Sequence, residues 1–224
     1  MKTISIIHPS RGRVVMANQT AAKWIISAAK TNPIEYILSI DSTDPEKDDY
    51  IQGFDVLAEL LQHPNIKIKT IVSPNKTAIE AINSAALETS NNMLIVVSDD
   101  FDCFEGWDTW LIDKLENRSD YLVKTTDGIQ PLLITLPIMD RMYYNRFGYI
   151  YYPEYHHMFC DTEMTDVGNI LGKVIDLKDE GHKFTHKHYI AGLMQKDAIN
   201  EKNDATWAQG EKLYNERKAL NFFI

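Results

Sequence analysis

Cysteine is scarce in this chain, with only Cys103 and Cys160 among 224 residues. The two lie far apart and form no Cys-x-x-Cys pair, so neither a disulfide framework nor a structural zinc site is expected, and a reducing, cytoplasmic setting fits. Long apolar runs are missing too. No stretch approaches the roughly 20 residues that a bilayer-spanning helix needs, and Ile4 to Ile7 is too short for the core of a secretory leader. No stable membrane insertion is therefore expected. Positive charge is in deficit: 23 Lys and Arg face 32 Asp and Glu, a net charge of -9. That balance argues against general attraction to phosphate backbones as the main driver of binding, while leaving nucleic acid open as a substrate. Repeats, low-complexity tracts and linkers are absent as well. A chain of this length buries roughly 70% of its unfolded surface in one core, so residues 1–224 are expected to form a single domain.

What is present is an alternation of two periodicities. Thr3 to His8 reads as a strand, and Ala21, Trp24, Ile25 and Ala28 then repeat at helical spacing. Glu35 to Ile40 is a second strand closed by Asp41, and a helix near Phe54 to Leu61 leads to a third strand, Ile66 to Val72. Thr77 with Glu80 has the form of a capping box and opens a helix through Leu87. A fourth strand starts at Met93. Strands alternating with helices predict an α/β/α sandwich around a mainly parallel sheet.

Further along, Trp107, Trp110, Leu111 and Leu115 mark a helix and Tyr121 to Thr125 a short strand. Residues 142–157 hold six tyrosines, one phenylalanine and two histidines without a clean period, which predicts a loop or lid at the carboxyl edge of the sheet. Met164, Val167 and Leu171 share one helical face behind Cys160-Asp161-Thr162-Glu163, whose acids sit where a helix dipole favours them. The last helix, with Trp207, Leu213, Tyr214 and Leu220, is expected to be amphipathic and to pack on the sheet or serve a dimer partner, so the chain is read as a monomer or homodimer. Asp44, Glu46, Asp48 and Asp49 lack ligand spacing and read as a solvated acidic loop.

The stretch that carries chemistry is Met93 to Asp102, where an unbroken apolar run stops at Asp99, Asp100 and Asp102. Such a run reads as a strand buried on both faces, and ligands bind beyond the carboxyl ends of strands in open α/β sheets. In extended backbone Asp100 and Asp102 project to the same side, a pairing suited to a divalent cation or a polar ligand. An EF-hand is ruled out, because Glu105 stands where that loop needs glycine. A phosphatase of the haloacid dehalogenase type also places Asp-x-Asp after an apolar strand, but normally after the first. A plain acidic turn leaves three like charges without a counterion.

Several segments together resemble the GT-A glycosyltransferases, particularly the inverting family 2 type, over nearly the whole chain. These are Pro9-Ser10-Arg11 after the first strand, Asp41, Asn75-Lys76, Asn83, Ser98-Asp99-Asp100-Phe101-Asp102 as the DxD motif, and Cys160-Asp161-Thr162-Glu163-Met164. Thr77 stands where the family has glycine, and Cys160 replaces its first acid.

The resemblance implies a compact, Rossmann-like GT-A fold in which residues 1–102 bind the nucleotide and 103–224 serve the acceptor and catalysis. It implies a nucleotide-sugar donor, with UDP the expected nucleotide, bound by Pro9, Ser10, Arg11, Asp41, Asn75, Lys76, Asn83, Asp99 and Asp100. Asp102 is expected on a Mn2+ or Mg2+ ion with a late histidine, His188 or His186, and Asp161 is expected to be the general base. A glycan, a lipid-linked sugar or a modified nucleic-acid base is the expected acceptor. Asp161 equally fits a helix N-cap. A nucleotide-sugar-binding protein without catalysis is the other reading of the same fold.

Overall fold

The computed structural model describes residues 2–181 and 184–224. Its centre is a seven-stranded sheet in the order β3-β2-β1-β4-β7-β6-β8, formed by β1 (Ile4–Ser10), β2 (Ile34–Asp41), β3 (Ile66–Ser73), β4 (Met93–Val96), β6 (Leu122–Lys124), β7 (Ile138–Asp140) and β8 (Val174–Asp176). Every strand runs the same way except β7, which is antiparallel to both β4 and β6. A separate two-stranded ladder pairs β5 (Phe101–Asp102) with β9 (Thr185–His186).

Alternation along the strands divides the core into two layers. Ile4 and Ile6 of β1, Tyr36 and Leu38 of β2 and Ile95 of β4 face one side, with α1 (Val14–Ile26), α2 (Lys47–Leu60) and α4 (Trp107–Leu115) packed on them. Ile7, Ile37, Leu94 and Val96 face the other side, under α3 (Ala78–Leu87), α5 (Arg141–Phe147) and α6 (Cys160–Ile170). The expected α/β/α sandwich is thus formed. In the first layer Trp24 and Trp107 are fully buried, their ring centroids 5.0 Å apart, and Phe184 stacks on Trp24 at 5.5 Å. Such aromatic pairs contribute about 0.5–1.5 kcal/mol beyond area burial.

Several expectations are revised. Residues 142–157 are not one loop. Asp140 caps α5 by accepting from the Tyr143 amide, and Tyr143, Tyr144, Tyr151 and Tyr155 are core residues of the second layer. Asp44 is buried, accepting from the Gly12 and Glu46 amides at 2.9 Å, and Asp48 and Asp49 lie in the first turn of α2. Thr77 caps α3 as expected, but Glu80 reaches the Lys76 amide rather than closing the box on Thr77. The last long helix, α8 (Trp207–Ala219), packs on α6, with Leu213 and Tyr214 against the second layer of the core. Its anchor is Arg217, whose Nε lies 3.0 and 2.8 Å from the two Glu163 oxygens while its guanidinium covers the Tyr152 ring at 3.3 Å. Tyr155 donates a further hydrogen bond of 2.9 Å to Glu163.

Candidate active site

The connection from β1 runs outward to β2 and β3 on one side, and β4 starts on the other. The chain therefore reverses its direction of winding between β1 and β4, the place where open α/β sheets hold ligands. A cleft of about 520 Å³ lies there, at the carboxyl ends of these strands. It brings together Pro9, Ser10, Arg11, Asp41, Asn75, Lys76, Asp99, Asp100, Asp161, His186 and His188, residues spread over 180 positions of sequence.

The β1 and β4 ends are fixed from beneath. His8, fully buried, bonds Asp99 Oδ1 through Nε2 at 2.9 Å and meets the Tyr36 hydroxyl through Nδ1 at 2.8 Å. Thr20 donates to the Asp99 carbonyl at 2.5 Å and Trp24 to the Phe101 carbonyl at 2.8 Å, so α1 sets the path of the chain as it leaves β4. That path is a turn, with the Phe101 amide donating to the Ser98 carbonyl at 3.1 Å.

The turn breaks the period-two relation expected of Asp100 and Asp102. Asp100 faces the cleft, with Ser98 Oγ donating to Oδ1 at 2.6 Å and His186 Nε2 3.3 Å from Oδ2. Burial raises the Asp100 pKa, but His186 and Ser98 outweigh it and hold the carboxyl well below the usual carboxylate range. Asp102 does not line the cleft; its carboxylate lies 3.0 Å from Lys187 Nζ, both groups about one-third exposed. Asn83 is also displaced from its expected place. Its amide donates to the Tyr151 carbonyl at 2.7 Å and accepts from the Ile150 amide at 3.0 Å, so it ties α3 to the segment after α5.

On the nucleotide side Arg11 pairs with Asp41, and Thr43 donates to both Asp41 oxygens at 2.9 Å. Asn75 is braced by Ser73 and Ser84, and Lys76 forms no ion pair among the described residues. Arg13, not anticipated from the sequence, lines the cleft with its side chain only 8% exposed. Nε and Nη2 hold Asp197 at 2.8 and 2.7 Å, and Nη1 sits 3.9 Å from Asp99. Asp197 caps α7 (Ala198–Asp204), so this pair draws α7 over the cleft as a wall.

Asp161 also lines the cleft. The N-cap of α6 is Phe159, in the left-handed region with φ 71°, and Asp161 is the second helical residue rather than the cap. A left-handed residue other than glycine costs on the order of 1–3 kcal/mol; here the Phe159 ring is packed against Trp207 and Tyr214. Asp161 Oδ1 accepts from the Thr162 amide at 2.8 Å, while Oδ2 has no hydrogen-bond partner among the described residues. Burial pushes this carboxyl above its ordinary pKa, against the bonds from Thr162. His157, also in the cleft and not singled out in advance, is pushed down to about 4 by burial.

Among the described residues no group of three or more His, Cys, Asp or Glu side chains is arranged to hold a metal ion. Mg2+-type ions, however, are commonly held by one or two carboxylates, with substrate phosphates and water completing the shell. Of the residues expected at an ion, Asp100, His186 and His188 line the cleft and Asp102 lies outside its lining. Nor is any helix among the described residues long and apolar enough to cross a membrane.

No protein-family model and no curated protein matches the sequence. Solved structures do match the fold. Mannosyltransferase PcManGT from Pyrobaculum calidifontis, in complex with GDP-Man and Mn2+, aligns with a TM-score of 0.61 at 13% identity, over 80% of this chain and 55% of its own. TarS from S. aureus aligns at 0.59 and 12% identity, over 93% of this chain and 43% of TarS. Its 1–349 segment in complex with UDP-GlcNAc gives 0.57 at 14%, over 80% of this chain and 57% of that segment. This chain thus spans about half the length of these relatives. At such identities the likeness shows the fold alone: this chain has the fold of the matched glycosyltransferases.

Proposed function

We propose that residues 1–224 act as one GT-A domain that transfers a sugar, with inversion, from a nucleotide-sugar to an acceptor hydroxyl. The observation that carries the reading is the meeting in one cleft of two carboxylates in opposite environments: Asp100, ionised among donors and cations, and Asp161, buried with Oδ2 free. Enzymes that need one fixed anion and one proton acceptor separate two carboxylates in this way. The complexes of the matched glycosyltransferases with GDP-Man and UDP-GlcNAc support the choice of donor class.

In this reading Arg11 and Asp41 offer a donor and an acceptor to the edge of the base, for which we take uracil. Asp99, held by His8, is placed for the ribose. The free edge of Arg13 and the unpaired Lys76 offset diphosphate charge. Asp161 Oδ2 takes the acceptor proton as the bond to the anomeric carbon forms, and its raised pKa improves it as a base at neutral pH. A Mn2+ or Mg2+ ion at Asp100 supplies Lewis-acid stabilisation of the leaving diphosphate when bound. The phosphatase alternative places its Asp-x-Asp after the first strand, whereas here Asp100 follows the fourth strand of the chain. A glycan, a lipid-linked sugar or a modified nucleic-acid base meets the cleft beside Tyr151, His157 and Met158.

The test is a thermal-shift screen of UDP, GDP, CDP and dTDP with and without Mn2+, followed by turnover assays with the matching sugar nucleotides. A ligand at 100 times its Kd stabilises the fold by about 2.7 kcal/mol, and UDP with Mn2+ is expected to give the largest shift. No shift with any pair overturns the reading. A shift without turnover in any acceptor screen favours the non-catalytic binder.

A further inference from the structure

We propose that α7 supplies the sugar subsite of the cleft, with the side-chain amides of Asn200 and Asn203 reading hydroxyl groups of the hexose carried by the nucleotide. The proposal rests on the glycosyltransferase reading above and deepens it by naming residues that choose the donor sugar.

α7 is a short helix tied down at both ends. Just before it, Asp197 is held by Arg13 through bonds of 2.8 and 2.7 Å. Just beyond it, Thr206 Oγ1 accepts from the Met158 amide at 3.2 Å and donates to the Asn203 carbonyl at 2.7 Å. Arg13 is the cation that offsets diphosphate charge in the reading above, and Met158 lies three residues before Asp161. The helix therefore runs from the residue that meets the diphosphate to the segment that carries the base.

Asn200 is only 5% exposed and lines the cleft. It closes a reciprocal capping box, its backbone amide donating to Asp197 Oδ1 at 2.9 Å and its Oδ1 accepting from the Asp197 amide at 3.1 Å. A backbone N–H only donates, so the side-chain atom that meets it is the carbonyl oxygen and the NH2 group is left over. That Nδ2 has no hydrogen-bond partner among the described residues. The box needs only an acceptor at this position, which glutamate supplies in its usual form. Helix capping accounts for Oδ1 and leaves the NH2 group unexplained, and an enclosed amide donor calls for an oxygen to receive it.

Asn203 stands three residues on, on the same helical face, and also lines the cleft. Its side chain makes no hydrogen bond among the described residues, although its carbonyl is used by Thr206. Between them the two residues offer donors and an acceptor, the complement of hydroxyl groups that both give and take hydrogen bonds. The choice of the donor's sugar follows from position. That ring is bonded directly to the diphosphate, and Asn200 lies within one helical turn of the aspartate that Arg13 holds.

The experiment is calorimetric titration, with Mn2+ present, of UDP, UDP-glucose, UDP-galactose and UDP-N-acetylglucosamine into wild type, Asn203→Leu and Asn200→Ala. Asn203→Leu keeps the side chain's branched shape and breaks no side-chain hydrogen bond of the structure. The expected result is that wild type separates the three sugar nucleotides and that each variant narrows the ratio between the best and the worst by about 2- to 10-fold, the scale of one neutral hydrogen bond. UDP itself is expected to bind wild type and Asn203→Leu alike. Unchanged ratios in Asn203→Leu overturn the proposal even if Asn200→Ala fails to fold, and leave the glycosyltransferase reading standing. Equal binding of the three sugar nucleotides by wild type overturns it as well, as does an equal loss for UDP in Asn203→Leu. If wild type binds neither UDP nor any of the three, the functional reading and this proposal fall together.

Discussion

Asp100 and Asp161 line one cleft and differ in almost everything except chemical identity. Asp100 leaves a strand, receives a serine hydroxyl and faces a histidine, and is held ionised. Asp161 stands in the first turn of a helix with one oxygen bonded locally and the other free, and burial holds its proton more tightly. The same side chain is held ionised or keeps its proton more tightly according to whether its neighbours compensate for lost water. Asp102, two residues beyond Asp100, shows a third outcome: paired with a lysine at the surface, it joins neither role.

The largest expected effect tests the base. Asp161→Asn should lower kcat by about 100- to 10,000-fold while leaving UDP affinity intact, measured by turnover and by calorimetric titration. Equal losses in both would give the two carboxylates a single binding role. Asp100→Asn should do the reverse, weakening UDP–Mn2+ binding by about 10- to 100-fold, the scale of one charge-assisted contact at about 1.5–3 kcal/mol.

A smaller effect sharpens the contrast through pH. The folded-state pKa of Asp161 is raised, so its contribution to stability is present below the unfolded-state pKa and lost as pH rises through the folded-state value. Asp161→Asn, which cannot ionise, should therefore melt higher than wild type at neutral pH, with the gap closing as the medium is acidified. A constant gap would show that burial does not govern this carboxyl. The folded-state pKa of His157 is lowered instead, so its contribution is present above about 6.5 and lost as pH falls through about 4. His157→Asn should flatten the melting temperature across that window. The smallest effect belongs to Asp102→Asn, which removes an exposed ion pair of about 0–1 kcal/mol and should leave Mn2+ and UDP binding unchanged.

The first four strands and their helices were legible because each carries a complete period: Ile4 to Ile7, Tyr36 to Ile40 and Met93 to Val96 are runs that only buried strands require. Legibility ended where elements shrink to three residues. β7 is antiparallel and too short to show alternation, and the tyrosines after it serve the core while resembling a lid. Most of the site residues singled out from the sequence line the cleft, several of them directly after strands. Asp102 was misplaced because the turn at Ser98–Phe101 replaces the extended backbone that equal-side projection assumes. Asn83 and Arg13 bond partners 67 and 184 residues away, and no local pattern announces such a meeting.

The Glu163–Arg217 pair beneath the helix of Asp161 sets a rule for any library built on this scaffold. Both groups are almost fully enclosed, so changing either alone strands a full charge, a defect of about 3–5 kcal/mol, whereas replacing both with fitted apolar side chains is often neutral. Positions 163 and 217 should therefore drift as a couple: single-site randomisation will return almost nothing folded there, and two-site randomisation will return leucine–methionine combinations.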